Sequence, residues 1–464
     1  MSEQTFNTIV KTMNGDSITP ILLFRRLKSR QKFLLEGTNS SGEKDPYTII
    51  GVNPVKGYFM REGRLFERNY VNGEEQPLTM TMMEALRQAI PLNKVEFDAP
   101  FCGGYIGYFS YEGVQFYSSV GNDEIEVAPM QMDLYDTVLL YDHMKDEIVC
   151  IHNEIERSYA EANIDELIQD ILYGETKEET DYELSNFTSY YSDEQFVQLV
   201  KKAQEQIEKR DLVQVVVSNR YHANFSGEAF TIYRELRKES PGPYMYYFEY
   251  PEFSMMGVSP ESIFNVTGHK IKVTPVTGAR PRGKTAREDV QIELTLLQSA
   301  NEVKAHNMLV DSTSEDLIRI CQPNTVHMTE YMKPILFKDS IRLTSEMTGE
   351  ILPKIHHVDA LSTFFPPASS TGVPKFAAAK LIGELEEIRR SFYGGIVGYF
   401  SLNGNVNFTL LMQTMVIKNN HAFIQSGANV LKDSDSNIAL VEVKKKIKAF
   451  LVIEVKRSAT HYEK

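Results

Sequence analysis

Residues able to take part in chemistry are concentrated in the C-terminal part of the chain. The candidates are a hydroxyl, a phenol, two small residues and an ammonium group: Ser369, Tyr393, Gly427, Ala428 and Lys446. Glycine-rich segments such as Gly394–Gly395 let a backbone approach a ligand closely, because no β-carbon intrudes. Taken alone, however, Tyr393 is typical of an aromatic residue before a strand, and Lys446 of an exposed charged run. The residue types alone therefore indicate a candidate site, but they do not identify a reaction.

The composition is that of a large globular protein with an acidic balance. A chain of 464 residues predicts one large domain or two closely packed ones. The net charge of −14 argues against non-specific binding to nucleic acid or to an anionic membrane. The three cysteines have no metal-ligand spacing, which indicates reduced thiols, and the polar start of the chain does not resemble a signal peptide. These features predict a soluble cytoplasmic protein.

Strand and helix patterns alternate around the candidate residues. Ser192 and Gln195 form a capping-box pattern before an amphipathic helix, and Leu212–Ser218 is a β-branched run typical of a buried strand. Long strands and helices follow without a strict βαβ rhythm. This pattern favours an α+β, layered architecture.

An acidic, polar segment divides the sequence. The stretch from Glu154 to Ser192 is acidic and polar, with GETKEETDYELSN (174–186) at its centre and almost no helical apolar stripe, which is typical of a linker or surface excursion. We therefore expect an N-terminal region at 1–180, which contributes part of the sheet core, and a second region at 190–464.

One short segment occurs twice in similar form. GGYIGYFSYEG (Gly103–Gly113) nearly matches GGIVGYFSLNG (Gly394–Gly404). Both segments could be unrelated strands that start with glycine and alternate aromatic residues, which is the favoured interpretation. The alternative is a duplication, with equivalent strands in two related sheets packed together.

Seven sequence blocks occur in an order that resembles component I of anthranilate synthase, a branch of the chorismate-utilising enzymes. The blocks are DLVQVVVS, MGVSPE, TPVTGARPRG, AHNMLVD, FPPASSTGVPK, YGGIVGYFSLNG and QSGANVLKDS. The resemblance runs from about Leu34 to the final helix. It implies an α/β/β/α fold of two packed antiparallel-rich sheets. It also implies conversion of chorismate and ammonia to anthranilate and pyruvate in tryptophan biosynthesis, with ammonia supplied by a separate glutamine amidotransferase subunit, component II.

Two positions choose among branches of this superfamily by resemblance. Enzymes that add water to chorismate carry a lysine where Gln214 stands, so isochorismate or salicylate formation is not expected. Aminodeoxychorismate synthases often carry a lysine where Thr277 stands, and the absence of this lysine argues against that branch. The remaining branch is anthranilate synthase, and aminodeoxychorismate synthase component I is kept as a further alternative.

The resemblance also implies an effector site for tryptophan, formed in the family by LLE and PYM segments. The corresponding residues are Leu35, Glu36, Pro243, Tyr244 and Met245. The family's serine after LLE is Gly37 here. Losing a buried hydrogen bond costs about 1–3 kcal/mol, so weakened feedback is the hypothesis.

A Mg²⁺ site and a set of substrate contacts are implied in the same way. The family surrounds Mg²⁺ with two glutamate pairs at i, i+3 spacing; here each pair keeps one member, Glu302 beside Ala305 and Glu442 after Ala439. Residues at this spacing share a helix face, so Glu302 and Glu442 are the expected metal ligands. The positions that match substrate contacts in the family are Ser369, Tyr393, Gly427, Ala428 and Lys446.

Several family site residues are replaced. The family's acid, a histidine, is Arg342, which stays protonated and cannot donate a proton at neutral pH, so no catalytic acid is assigned. Two functions stay open: an anthranilate synthase-type lyase, and a catalytically impaired homologue that acts in binding or regulation. The second is motivated by replacements at Ala305, Arg342, Gln413, Asn429 and Ala439.

Overall fold

Two antiparallel sheets, of 13 and 12 strands, form the centre of the molecule. The computed structural model describes residues 7–38, 44–90, 97–113, 123–155, 160–176, 181–337, 340–447 and 450.

The strands are β1 (Thr8–Asn14), β2 (Lys32–Glu36), β3 (Tyr47–Val52), β4 (Lys56–Arg61), β5 (Arg64–Asn69), β6 (Glu75–Leu78), β7 (Gly104–Phe109), β8 (Met130–Tyr135), β9 (Thr137–Asp142), β10 (Glu147–Asn153), β11 (Tyr182–Leu184), β12 (Thr188–Ser189), β13 (Gln214–Gly227), β14 (Tyr244–Glu249), β15 (Ser254–Ser259), β16 (Ser262–Thr267), β17 (Lys270–Val273), β18 (Val276–Pro281), β19 (His327–Leu336), β20 (Ser340–Glu350), β21 (Gly372–Val373), β22 (Ile396–Ser401), β23 (Val406–Leu410), β24 (Gln413–Lys418) and β25 (His421–Leu431). The helices are α1 (Pro20–Arg26), α2 (Met82–Ala89), α3 (Ala160–Tyr173), α4 (Asp193–Lys209), α5 (Ala229–Glu239), α6 (Ala286–Gln298), α7 (Ala300–Ile320), α8 (His357–Thr363), α9 (Ala368–Thr371), α10 (Lys375–Leu385) and α11 (Ser436–Lys446).

The strand order defines the two sheets. The first sheet runs β1-β10-β9-β3-β2-β14-β15-β24-β25-β13-β11, and β12 and β21 also pair with β13. The second sheet runs β18-β20-β17-β16-β23-β22-β7-β8-β4-β5-β6, and β19 also pairs with β20.

The sheets pack face to face with helices outside them. Aromatic side chains of the first sheet, such as Phe33 and Phe248, share one apolar cluster with Tyr108 and Tyr399 of the second. A second cluster joins the outer face of the first sheet to α1, α3, α4, α5, α10 and α11. A third joins the outer face of the second sheet to α2, α7 and α8. The predicted α/β/β/α, α+β architecture is therefore confirmed.

Both sheets have an approximately symmetric strand order, which indicates an internal duplication. In the first sheet, β10-β9-β3-β2 is followed by β14-β15-β24-β25; in the second, β4-β8-β7 is followed by β22-β23-β16. The two similar glycine-rich segments form β7 and β22, which pair directly, with Gly107 opposite Gly398. The alternative interpretation, a duplication, placed these strands in two separate sheets, and that placement is wrong. The favoured interpretation, that the two segments are unrelated strands, does not account for the repeated strand order.

The two sequence regions are interleaved in this fold. Residues before position 180 supply β1–β10 and later residues supply β11–β25, so each region contributes to both sheets. The expectation of a linker without helix before position 180 is wrong, because α3 lies there. The cluster on the outer face of the first sheet is called the helix-side core from here on. The apolar residues of α3 recur at helical spacing and pack on this core: Ile164, Leu167, Ile168 and Ile171. The acidic residues between them hid this apolar stripe in the sequence.

Local predictions outside the site agree with the structure. The capping box at Ser192 and Gln195 is present with both hydrogen bonds, and the helix begins at Asp193. The three cysteines are free and buried. Among the described residues, no helix has the length and apolar character needed to cross a membrane.

Candidate functional site

Two of the five predicted substrate positions, Tyr393 and Lys446, line a small cavity, here called the site cavity, between the two sheets and α11. Arg342 reaches it from β20 of the second sheet, Gln413 from β24 of the first sheet, and Lys446 from the last turn of α11. Tyr393, just before β22, forms another wall. The cavity has a volume of about 40 Å³, which is room for about three water molecules. A larger ligand must therefore displace lining side chains such as Met412.

Lys446 presents an ammonium group to the site cavity. Its Nζ donates to the carbonyl oxygen of Gly427 at 2.8 Å and forms an ion pair of 2.7 Å with Glu442, one helical turn earlier. Burial by itself lowers the pKa of Lys446, but Glu442 and Tyr393 outweigh it and raise the pKa above its usual value. The side chain therefore remains a cation at neutral pH.

Tyr393 and Ser426 offer hydroxyl groups to the site cavity that have no partner among the described residues. A β-carbon at position 427 would lie 2.5 Å from the Tyr393 hydroxyl oxygen, so only glycine lets this ring approach β25. Buried polar groups are normally hydrogen-bonded, and these two hydroxyls are available to a ligand or to water.

Glu261 is a buried carboxyl residue next to the site cavity that the sequence analysis did not assign. It follows Pro260, which lines the site cavity, and its side chain is 6% exposed. Burial raises the pKa of Glu261 to about 8, although a hydrogen bond with Ser369 and the charge of Arg342 act in the opposite direction. The carboxyl group is therefore largely protonated at neutral pH. Its position in the block MGVSPE, one of the seven shared blocks, was the available signal.

The two expected metal ligands are each paired with a cation. Glu302 forms an ion pair of 2.8 Å with Arg280, and Glu442 forms the ion pair with Lys446. Across the described ranges, no three Asp, Glu, His or Cys side chains come together in a way that could hold a metal ion. The residues present do not fit a Mg²⁺ site, because a cation would have to displace an ion pair at each carboxylate.

His306, next to Ala305 on α7, does not substitute for a missing ligand. Its two ring nitrogens are hydrogen-bonded to Thr277 at 2.6 Å and to Ser345 at 2.7 Å. Burial lowers the pKa of His306 to about 4, so the ring is neutral. Glu346 is likewise occupied, since it pairs with Lys272 at 2.7 Å.

Other predicted positions have different surroundings from those expected. Ala439 is 3% exposed and packs in the helix-side core, so its position faces apolar side chains. The methyl group of Ala428 packs in the same core. Gln413 donates to the carbonyl oxygen of Lys446 at 3.1 Å, whereas Asn429 is exposed.

The five predicted effector residues do come together, around a second cavity of about 200 Å³. The LLE and PYM segments lie on neighbouring strands, and Met245 is opposite Glu36. The Glu36 carboxylate accepts hydrogen bonds from Arg237 at 2.6 and 2.5 Å and from Tyr233 at 2.6 Å. We call this space the second cavity.

The site cavity thus combines two cations, two available hydroxyls and a nearby protonated carboxyl. Arg342 and Lys446 can hold anionic groups, the hydroxyls of Tyr393 and Ser426 can orient a polar ligand, and Glu261 can donate a proton. This set suits a small polar molecule with two negative charges.

Comparison with known proteins identifies the family. A family model described as chorismate binding enzyme matches residues 31–452. Anthranilate synthase component 1 of Lactococcus lactis is 33% identical over 92% of this chain and 95% of its own length. That of Aquifex aeolicus is 31% identical over 94% of this chain and 92% of its own length.

Solved structures agree with the sequence comparison. Anthranilate synthase component I from Streptococcus pneumoniae superposes with a TM-score of 0.80 at 30% identity, covering 94% of this chain and 98% of that one. The menaquinone-specific isochorismate synthase of Escherichia coli shares the fold, with a TM-score of 0.73 at 14% identity over 97% of this chain and 95% of that one. The chain belongs to the chorismate binding enzyme family.

Proposed function

We propose that the protein acts on chorismate as an anthranilate synthase component I. In this reaction ammonia adds to the ring, the ring hydroxyl leaves as water, and the enolpyruvyl group is eliminated as pyruvate, which leaves anthranilate. The observation that carries the proposal is that Arg342 and Lys446 line one cavity. Chorismate has two carboxylates, and each cation can bind one of them.

Glu261 is the proton donor in this proposal. The leaving hydroxyl needs a proton, and Arg342, at the family's acid position, cannot supply one. A buried carboxyl with a pKa of about 8 is protonated at neutral pH and can do so. Ser369, hydrogen-bonded to Glu261, orients the donor.

No step of this scheme uses Mg²⁺, because Glu302 and Glu442 are both held in ion pairs. The charge of one bound carboxylate is balanced by Arg342, and Lys446, which keeps one N–H donor beyond those used by Glu442 and Gly427, donates a hydrogen bond to the other. Ammonia is expected from a glutamine amidotransferase subunit, component II, and tryptophan is the expected effector; the family resemblance supports both.

The test is formation of anthranilate from chorismate and a high concentration of ammonium salt, followed by fluorescence. We expect Glu261→Gln to lower kcat by about 10²–10⁴-fold, as for removal of a general acid. Glu346→Gln is the matched control, because Glu346 pairs with Lys272 and takes no part in the scheme. No anthranilate above the level without enzyme would overturn the proposal. A stable product that keeps its enolpyruvyl group and carries the amino group on the ring carbon that bore the hydroxyl would instead identify an aminodeoxychorismate synthase.

A second candidate function is binding without turnover. It is favoured by the ion pairs at Glu302 and Glu442 and by the small volume of the site cavity. Calorimetric binding of chorismate with no product on prolonged incubation would support it.

A further inference from the structure

The loop at 386–395, between α10 and β22, carries Tyr393 and contains a buried ion pair between Arg390 and Glu386. The two side chains are 1% and 2% exposed. The guanidinium donates to both carboxylate oxygens, at 2.8 Å from Nε and 2.7 Å from Nη2. This two-bonded geometry fixes the orientation of the guanidinium plane. Because apolar residues often replace a buried ion pair without loss of stability, stability alone does not account for the pair.

Glu386 is fixed to the first sheet through Ser218 of β13. Its carboxylate accepts hydrogen bonds from the Ser218 backbone N–H at 2.8 Å and from the Ser218 hydroxyl at 2.9 Å. Gln425 of β25, which lines the site cavity, donates to the same hydroxyl at 2.9 Å. The carboxylate is therefore held by the strands that border the site cavity.

Arg390 connects three segments around the site. Nη1 donates to the carbonyl oxygen of Ser370 in α9 at 2.7 Å, and Nη2 donates to the carbonyl oxygen of Val216 in β13 at 2.6 Å. With the two bonds to Glu386, four of the five N–H donors of the guanidinium are used. The side chain thus holds α9, β13 and the 386–395 loop in a fixed relation.

The same guanidinium packs on the ring of Tyr393. Its Cζ lies 5.5 Å from the centroid of that ring and 4.8 Å from the centroid of the Tyr111 ring, which are distances for cation–π contact. The Glu112 carboxylate accepts from the backbone N–H groups of Arg390 and Ser391 at 2.7 and 2.8 Å. The Tyr393 hydroxyl has no hydrogen-bond partner among the described residues, so contacts of the ring and backbone set its position.

We propose that Arg390, held by Glu386, is a positioning residue that sets the Tyr393 hydroxyl at the site cavity. Arg390 does not line that cavity, so it acts through Tyr393 and not on the substrate. The inference rests on the proposed function, in which Arg342 and Lys446 hold the substrate and the Tyr393 hydroxyl orients it. Misplacement of a positioning group by about 1 Å can cost about 10²-fold in rate.

The first test is steady-state kinetics with chorismate and ammonium salt. Arg390→Lys keeps the charge but loses the planar fork. We expect it to lower kcat by about tenfold or more and to change KM for chorismate by less than about threefold, because Arg342 and Lys446 are unaltered. Tyr393→Phe should lower kcat by at least as much. Adding Arg390→Lys to Tyr393→Phe should cost less than about threefold, since no hydroxyl remains to be misplaced.

A second variant separates positioning from stability. Glu386→Gln with Arg390→Met removes both charges, and the glutamine carbonyl can still accept from the Ser218 N–H. We expect its urea midpoint to stay near that of wild type, whereas kcat should remain reduced by about tenfold or more.

The matched control is a second buried ion pair, changed as Lys375→Met with Asp316→Leu. Lys375 donates to Asp316 and to the carbonyl oxygen of Thr363, and neither residue lines the site cavity. We expect this control to keep kcat within about twofold of wild type.

A readout without turnover is fluorine NMR of protein labelled with 3-fluorotyrosine, with the Tyr393 signal assigned by its loss in Tyr393→Phe. We expect one narrow Tyr393 signal in wild type and a broadened or split signal in Arg390→Lys, with no ligand present. Absence of anthranilate would reject the proposed function and leave this result unaffected. Additive effects of Arg390→Lys and Tyr393→Phe on kcat, wild-type kcat in Glu386→Gln with Arg390→Met, or an unchanged narrow signal in Arg390→Lys would each overturn the positioning role.

Discussion

Replacing Glu261 by glutamine tests whether the pKa of this buried carboxyl group is raised, because a raised pKa makes the free energy of unfolding depend on pH. Burial raises the pKa of this carboxyl from 4.5 to about 8 in the folded protein. The folded state therefore holds the proton more tightly than the unfolded state. The resulting stabilisation is fully present below pH about 4.5 and is lost as the pH rises through about 8.

The magnitude follows from the pH interval. Each pH unit between the two pKa values changes the free energy of unfolding by about 1.4 kcal/mol. From pH 5 to pH 7 the wild-type protein should lose roughly 3 kcal/mol from this group alone. Glu261→Gln has no proton to lose, so its stability relative to wild type should rise by the same amount over this interval.

The assay is urea unfolding of both proteins at pH 5, 6 and 7. Other buried carboxyl groups with raised pKa values, Glu112 at about 7 and Asp133 at about 6, titrate in both proteins and cancel in the difference. The lost hydrogen bond to Ser369 adds a constant that does not depend on pH. A difference that stays within about 0.5 kcal/mol across this range would refute the reasoning, since that is the scatter expected for an uncoupled substitution.

Three further outcomes are expected. Gly37→Ser should lower the free energy of unfolding by about 1–3 kcal/mol, because its β-carbon overlaps the Asp45 carboxylate and a backbone carbonyl; an unchanged urea midpoint would contradict this. Lys375→Met should cost about 3–5 kcal/mol in the same assay, because it leaves Asp316 buried without its partner at 2.7 Å, and adding Asp316→Leu should restore most of the loss. The thermal midpoint should be the same in millimolar MgCl₂ and in EDTA at matched ionic strength, because the expected ligands are ion-paired; a rise specific to Mg²⁺ would contradict the lack of fit.

The layered fold was predictable because it depends on features that the sequence carries locally. Strand and helix patterns gave the α+β class, and the two packed sheets followed from the family resemblance that the seven blocks carry. The meeting of Glu36 with Met245 also followed from the resemblance. The helix α3 was missed because acidic residues between its apolar positions outweighed the spacing of Ile164 and Ile171.

The electrostatics of the site depend on contacts between distant segments, and these were not predictable. Helical spacing gives the face on which Glu302 lies, but not that Arg280 of β18 would neutralise it. The pKa of Glu261 is set by burial and by Ser369 and Arg342, which are far from it in the chain. A glycine at position 37 indicated a missing hydroxyl, but not the carboxylate of Asp45 in its place.

The interleaving of the two halves has a consequence for synthesis of the chain. When only the first 180 residues have left the ribosome, β2 and β7 are open edges, and their partners β14 and β22 follow roughly 200 and 300 residues later. Exposed strand edges of this kind pair readily with other chains. We expect the N-terminal half produced alone to aggregate, and the two halves produced together to recover a soluble complex, because each supplies the edge strands that the other lacks.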